Sequence, residues 1–432
     1  MRGGNAREIA GSIEDGVRAG RLVPGAPLPT VRGLARALRV SPATVAAAYR
    51  TLAHRGVLVA HGRRGTRVGH RPPVFAPPPA PVPAHLRNLA DGNPDPALLP
   101  KLRGTAHLTG PAHLYGQGPH LPDLLRHAAH DFVADGIPAD AVAVVSGAMD
   151  GIERVLQAHL RPGDRVLVED PGYPAVFDLL GALGLVAEPV AVDESGLRPD
   201  DLTAALAQPV SALVLTPRAQ NPTGAALDEP RARILRRLLG GRPEVLVIED
   251  DHAAWIAGTP AVTLCAGRER WAVIRSVSKS LGPDLRVTLI AGDPTTIARV
   301  EGRQWLGPGW VSHILQRLVA GLLSKPQTAA QLASARAAYT ERRAGLIDAL
   351  AAHGIPAYGR SGLNVWIPVA DEDRTLALLA EAGWALRGGE RYRLKSPPAV
   401  RASIATLRPP EARRLAADLA RALGSTRRTY SA

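Results

Sequence analysis

At 432 residues the chain is long enough for two or three domains, each burying a core of its own. Its formal charge is +13, and residues 1–71 hold thirteen arginines against only three acids, Glu8, Glu14 and Asp15. A basic head on a nearly neutral body is the electrostatic footprint of nucleic-acid binding confined to one domain. Cys265 is the single cysteine, which excludes an intrachain disulfide framework, and no apolar run has the length of a membrane span or a secretory h-region. The expectation is a soluble, cytoplasmic protein with no membrane partner and no metal site.

In chain order, Pro29-Thr-Val-Arg32 leads into a short helix over Gly33–Leu38 with apolar Leu34, Ala35 and Leu38. Arg39-Val40 makes a turn. Ser41 then caps a second helix with Pro42 at its first position, a strong start signal. That helix is predicted to run to about Ala53, burying Val45, Ala48, Tyr49 and Leu52 and turning Thr44, Ala47 and Arg50 outward. Helix, tight turn and capped helix form the helix-turn-helix arrangement, whose second helix enters the major groove. Val57-Leu58-Val59 and Thr66-Arg67-Val68 read as two strands. His61-Gly62-Arg63-Arg64-Gly65 between them is a glycine-bounded basic turn suited to phosphates or the minor groove.

The segment from Leu28 to Leu52, closed by Gly62-Arg-Arg-Gly-Thr66, resembles the GntR family of winged-helix regulators. The resemblance covers nearly all of residues 7–68, including a first helix from about Arg7 to Ala19 and the turn Gly20–Gly25. It implies double-stranded DNA as partner, with Arg32, Thr44, Arg63 and Arg64 as contacts. Ser41 and Arg50 complete the candidate set.

Three zones are expected: a winged helix over 1–68, a linker over 69–84 and a larger domain over 85–432. The linker contains seven prolines and favours extended polyproline. Beyond it, apolar runs such as Ala141–Val145, Arg165–Val168, Ala212–Leu215, Val245–Ile248 and Trp271–Ile274 alternate with helical stretches. That alternation predicts an α/β body with a largely parallel sheet.

Arginine is used almost everywhere in this chain; the only lysines are Lys101, Lys279, Lys325 and Lys395. Lys279 lies in Ser276-Val-Ser-Lys-Ser280, followed by Arg286. An amine can condense with an aldehyde to a Schiff base and a guanidinium cannot. Lys279 therefore reads as the Schiff-base lysine of a pyridoxal 5'-phosphate (PLP) site. PLP also needs a phosphate cradle, an anion at its pyridine nitrogen, a donor at its ring oxygen O3' and an aromatic wall. Ser146-Gly147-Ala148-Met149 follows a strand, opens a helix and presents N–H groups to phosphate. Tyr173 in Glu169-Asp-Pro-Gly-Tyr173 can stack on the ring, and Asn221 in Gln220-Asn-Pro-Thr-Gly224 can donate to O3'. Asp250 and Asp251 end a strand and compete for the pyridine nitrogen, with motif position favouring Asp250. Ser276, Ser278 and Arg286 add phosphate ligands.

Together these segments resemble the aminotransferase-like, fold-type-I PLP enzymes over roughly residues 88–423. The resemblance implies that Tyr115 reaches the cofactor phosphate of a neighbouring subunit and that Arg401 takes a substrate or effector carboxylate. Relatives carry a tyrosine shortly after the aspartate as O3' donor; here His252 stands there. A GntR head joined to an aminotransferase-like body is the layout of the MocR subfamily of regulators. It implies a homodimer, commonly head-to-tail, and a small-molecule amine or PLP as effector. Two functions follow from it as expectations. One is a PLP-responsive transcriptional regulator without enzyme turnover. The alternative is an active PLP-dependent aminotransferase with an accessory DNA-binding domain.

Overall fold

The computed structural model describes residues 1–54, 57–60, 65–69, 81–102 and 110–424. Two compact units emerge. One holds Met1–Ala80 with Leu160–Val166 and Ala175–Ala187; the other holds Pro81–His159, Leu167–Pro174 and Glu188–Ala432.

In the head, α1 (Ala6–Arg18) is capped by Asn5, whose side chain accepts from Glu8 N, and Glu8 reaches back to Gly4 N. These contacts satisfy amides that the first turn leaves without helical partners. α2 (Val31–Leu38) is capped by Thr30 and stops at Arg39, which adopts a left-handed conformation. α3 (Pro42–His54) starts at the predicted cap, with Ser41 Oγ accepting Thr44 N–H at 3.1 Å. Ile9 and Ile13 of α1, Leu34 and Ala35 of α2, and Val45, Ala48 and Leu52 of α3 close into one core. The Tyr49 hydroxyl donates to Pro29 O at 2.8 Å and fastens α3 to the lead-in of α2. β1 (Leu58–Ala60) and β2 (Thr66–Val68) pair antiparallel. The first strand begins one residue later than the sequence suggests, because Val57 N–H closes the end of α3 on Leu52 O. The tip of the turn between the strands, with Arg63 and Arg64, lies outside the described residues, as does most of the proline-rich segment.

The body opens with β3 (Arg87–Asn88), α4 (Pro122–Ala134), β4 (Ala141–Val145), α5 (Ala148–His159) and β5 (Arg165–Asp170). It continues through α6 (Pro174–Ala182), β6 (Val186–Asp193), β7 (Gly196–Leu197), α7 (Pro199–Leu206), β8 (Ala212–Leu215) and α8 (Glu229–Gly240). Next come β9 (Leu246–Asp250), β10 (Trp271–Ser276), β11 (Thr288–Gly292), α9 (Pro294–Trp305), α10 (His313–Leu323) and α11 (Pro326–Ala351). The last stretch holds β12 (Asn364–Pro368), α12 (Glu372–Glu381), β13 (Trp384–Ala385), β14 (Arg387–Gly388), β15 (Ala399–Ser403) and α13 (Pro409–Gly424).

The main sheet has eight strands in the order β4-β11-β10-β9-β8-β5-β6-β7. Every residue of β8, β9 and β10 is buried, which is why these strands read as unbroken apolar runs rather than alternating ones. β8, β9 and β10 are parallel, and β11 is antiparallel to both β10 and β4. The segments leaving β4, β8, β9 and β10, and the one entering β11, therefore lie along one edge of the sheet. That edge is where ligand sites form in open α/β sheets. A smaller antiparallel sheet, β12-β15-β14, carries Arg401 in its central strand.

One loop ties this small sheet to the edge. Gly362 has φ +74°, and a Cβ there would lie 2.3 Å from Ala219 Cβ. Beside it, Ser361 Oγ accepts Ala219 N–H and donates to Ala257 O. Gly362→Ala meets both a left-handed backbone and a steric clash. It is expected to destabilise the body by about 2–4 kcal/mol, read as a lower urea midpoint than that of the parent protein.

Candidate cofactor site and nucleic-acid interface

Lys279 stands just beyond β10 and donates its Nζ to the carbonyl of Gly92 at 2.5 Å. Burial, then the nearby Arg401 charge, pull its pKa down, while Asp250 opposes them. The amine is thus biased toward the neutral form that attacks a carbonyl.

The two adjacent aspartates have opposite surroundings. Asp251 accepts from Arg218 Nε at 2.7 Å and Arg218 NH2 at 2.8 Å, and from Arg275 Nε at 2.9 Å. Those guanidinium groups overcome burial and hold its carboxyl far below the ordinary range. Asp250 has no such partner, and its buried Oδ1 is without a hydrogen bond among the described residues. Burial first, then the Asp251 charge, raise its pKa to about 7, with Lys279 pulling the other way. Of the two aspartates, Asp250 is therefore the one still able to take a cationic N–H.

Asn221 Oδ1 accepts from Arg401 NH1 at 3.0 Å and from Asn364 Nδ2 at 3.3 Å. With its oxygen so occupied, its own amide N–H group is the end left to donate. Arg401 is 3% exposed, gives a second bond to Ala90 O and lies 5.3 Å over the Tyr392 ring. No carboxylate of the described residues pairs with it, and its Nε is buried without a partner. A buried cation lacking a counter-charge is costly, so this guanidinium suits an incoming anion. Tyr173 follows β5 at 39% exposure; burial, then Asp250, raise its pKa, with Arg401 among the opposing charges. The preceding Gly172 N–H donates to Tyr392 O at 2.8 Å, which places this loop beside the ring that Arg401 covers.

The turn Ser146-Gly147 between β4 and α5 meets Arg286 ahead of β11. Arg286 NH2 donates to Ser146 O at 3.0 Å, and a Cβ on Gly147 would lie 2.2 Å from the same nitrogen. Only glycine lets a guanidinium come this close to a helix N-terminus, where Gly147, Ala148 and Met149 present first-turn amides. Ser276 Oγ donates to Ser278 Oγ at 3.0 Å, which brings the two serines together beside Lys279.

Two expectations need correction. Ser146 N–H is not free for a phosphate, because Asp150 Oδ2 takes it at 2.9 Å. His252 does not offer its Nε2–H as an O3' donor either. That nitrogen lies 3.0 Å from Ala219 O, and a carbonyl only accepts, so the proton sits on Nε2. Burial and then Lys279 push the ring's pKa down to about 4. His252 is therefore neutral near pH 7, and Nδ1 carries a lone pair.

Tyr115 is 92% exposed and packs edge-on against Trp310 at 5.5 Å. It stands with exposed Leu114, Trp305 and Leu306 rather than in the group around Lys279. In the head, Arg32 and Arg50 are exposed, whereas the Thr44 hydroxyl is 2.8 Å from Ser41 Oγ within the cap of α3.

With this geometry in view, the relatives can be read. The bacterial regulatory proteins of the gntR family match residues 5–68, and the aminotransferase class I and II family matches residues 84–419. The vitamin B6 salvage pathway transcriptional repressor PtsJ of Salmonella typhimurium is 41% identical over 426 residues, covering 98% of this chain and 99% of that protein. The chain belongs to the MocR-type regulators of the GntR family. The pyridoxine biosynthesis regulator PdxR of Corynebacterium glutamicum is 30% identical over 356 residues, 77% of this chain and 76% of that one. Kynurenine aminotransferase of Pyrococcus horikoshii superposes with a TM-score of 0.71 at 19% identity, over 79% of this chain and 92% of that one, which establishes the fold.

This MocR-type regulator also uses residues that sequence reasoning missed. The Gly92 carbonyl holds Lys279, and a backbone acceptor leaves no residue-type signal. Glu169 is buried, accepts from Thr216 N and Gln220 Nε2, and has its pKa raised to about 8, burial being the main cause. Arg218 and Arg275 could have been suspected from one signal: each is an arginine inside or just after an apolar strand.

The two aspartates predict opposite stability effects. The folded Asp250 titrates near 7 and the unfolded one near 4, so the native state loses stability as pH rises between those values. Asp250→Asn removes that loss. In ligand-free protein it should raise the melting temperature at pH 8, with the gap closing toward pH 4. Asp251→Asn leaves Arg218 and Arg275 short of an anion and should cost roughly 3–5 kcal/mol at pH 7. That deficit shrinks as pH falls below about 4, where the native aspartate is itself losing stability. Thermal unfolding of both variants across pH checks the pair.

Proposed function

We propose that this regulator binds PLP through its body, with Lys279 placed to supply the amine for the cofactor's aldehyde, and binds operator DNA differently when an amine or B6 vitamer engages that site. The observation that carries this reading is a half-buried, charge-depressed Lys279 beside an Asp250 whose buried Oδ1 has no hydrogen-bond partner among the described residues. Bound PLP would supply an aldehyde for the amine and an electron-withdrawing ring. Asp250 would lose its proton to sit as the anion against the ring nitrogen. Asn221 would donate to O3', and Tyr173 would cover the ring face. Arg286, Ser276, Ser278 and the amides of Gly147, Ala148 and Met149 would hold the phosphate. His252, neutral with Nδ1 bare, would act there as an acceptor, which withholds stabilisation from a phenolate at O3' and disfavours turnover. The vitamin B6 roles named for the Salmonella and Corynebacterium relatives support a B6 vitamer as effector and, in the first case, repression. Tyr115 on its exposed apolar patch supports a homodimer in which it reaches the other subunit's site.

The effector must favour one conformation of the regulator over another. A coupling of about 1–3 kcal/mol gives a 5- to 150-fold change in DNA affinity.

The first test is the visible absorption of the protein with added PLP beside Lys279→Ala. A band in the parent that is missing from the variant supports the reading; no band in either refutes the cofactor part of it. DNA affinity should also fall steeply with salt, given the charge of the head. A salt-insensitive affinity in a binding titration would sink the DNA-binding part.

A second reading is favoured by Arg401, whose buried guanidinium has no carboxylate partner among the described residues. It suits an effector carrying both an amine and a carboxylate, and it leaves room for an active aminotransferase. Sustained turnover of an amino acid with a keto acid would establish that alternative. A spectral change without turnover, lost in Arg401→Leu, would assign the residue to effector binding.

A further inference from the structure

The second helix of the helix-turn-helix has an unusual outer face. Helical geometry advances about 100° per residue. Val45, Ala48, Tyr49 and Leu52 define the buried side of α3, so Ala43, Ala47 and Arg50 stand diametrically opposite. Ala43 and Arg50 are exposed and Ala47 is half-exposed. Ala46, Thr44 and Thr51 flank that stripe.

Each flanking threonine has its hydroxyl engaged locally. Thr44 Oγ1 is joined to Ser41 Oγ at 2.8 Å within the cap, and Thr51 Oγ1 donates to Ala47 O at 3.0 Å. Over its first two turns the stripe itself is therefore built of the methyl groups of Ala43 and Ala47. Arg50, one turn further, supplies the hydrogen-bond donors among the described side chains of that stripe. A helix so lined can sit deep in a major groove, where small side chains let the backbone approach the bases.

In the major groove the one apolar marker on a base edge is the C5 methyl of thymine. Charge supplies the complementarity that brings duplex DNA to this surface, since residues 1–71 carry thirteen arginines and three acids. We propose that α3 reads its operator through thymine C5 methyl groups packed against Ala43 and Ala47, with Arg50 as the polar contact that fixes register. This rests on the DNA-binding reading above and adds to it the chemistry by which sequence is distinguished. Because both contacts fall within the first turns, the discriminated thymines should lie within a short run of each half-site.

The test starts from the full-length protein loaded with PLP and selects duplexes from a random pool. The best duplex is then remade with deoxyuridine at single thymine positions, which removes a methyl group and leaves every hydrogen bond in place. Each methyl that contacts an alanine should be worth about fourfold in affinity, from the ~0.8 kcal/mol of one buried carbon group. The loss should be confined to one or two positions per half-site. Ala47→Asn should erase the distinction between thymine and uracil at its position while salt-dependent binding to random duplex persists. Equal affinity for thymine and uracil duplexes at every position overturns the methyl readout and leaves the DNA-binding reading standing. Failure to enrich any duplex overturns both. A loss confined to Arg50→Ala, with no uracil effect, assigns sequence reading to the arginine instead and also overturns the proposal.

Discussion

The body depends on a buried knot of charge at the carboxyl edge of its sheet. Arg275, fully buried in β10, reaches Asp251 after β9, Asp131 of α4 and Asp135 just past the end of α4. Arg218, beyond β8, grips Asp251 from the other side and also reaches Asp135. Phe132 and Trp255 lie against the Arg275 guanidinium at 4.7 Å and 5.9 Å. Three strand ends and one helix are thereby held by hydrogen bonds of fixed geometry. Such a cluster is a poor source of net stability, because desolvating its members offsets their attraction. What it secures is position: the strand end that bears Asp251 also bears Asp250, and fixing one fixes the other.

The knot also sets the chemistry of its neighbour. The cations that keep Asp251 ionised leave a negative charge one residue from Asp250, and with burial this lifts Asp250 into the neutral range. A free Asp250 is thus poised between states, and a cationic ring nitrogen would decide between them. Lys279 is tuned in the opposite sense by burial and Arg401. Both residues are strained toward neutrality in the ligand-free protein, so ligand charge has electrostatic work to do on entering.

Much of this was legible in the sequence, for reasons particular to each residue. Lys279 stood out because lysine is rare here and only an amine forms the required bond. The start of α3 was legible because a serine cap followed by proline has one favoured geometry. Motif position favoured Asp250 over Asp251, but the electrostatic ground for that choice was not legible locally, since both end the same strand and the difference lies in arginines far away in the chain. The role of His252 was not legible for a similar reason. Its proton position is set by the Ala219 carbonyl, which belongs to a turn with positive φ that no residue type announces. Gly92 was missed because it acts through its backbone.

The head divides its labour differently. Its cap and core were legible because they rest on periodicity, and its charge because it rests on composition. Composition alone, however, points to phosphate, and phosphate contacts carry no sequence information. The arginines of residues 1–71 can account for affinity and for its salt dependence. Discrimination has to come from the groups that enter the groove, and among its described side chains the outer stripe of α3 offers the methyls of Ala43 and Ala47 and the guanidinium of Arg50. The helix that the sequence marks as the reader of DNA thus carries an outer stripe that is mostly apolar among its described side chains. In the readout proposed above, Arg50 is the one residue that belongs both to the basic character of the head and to its specificity.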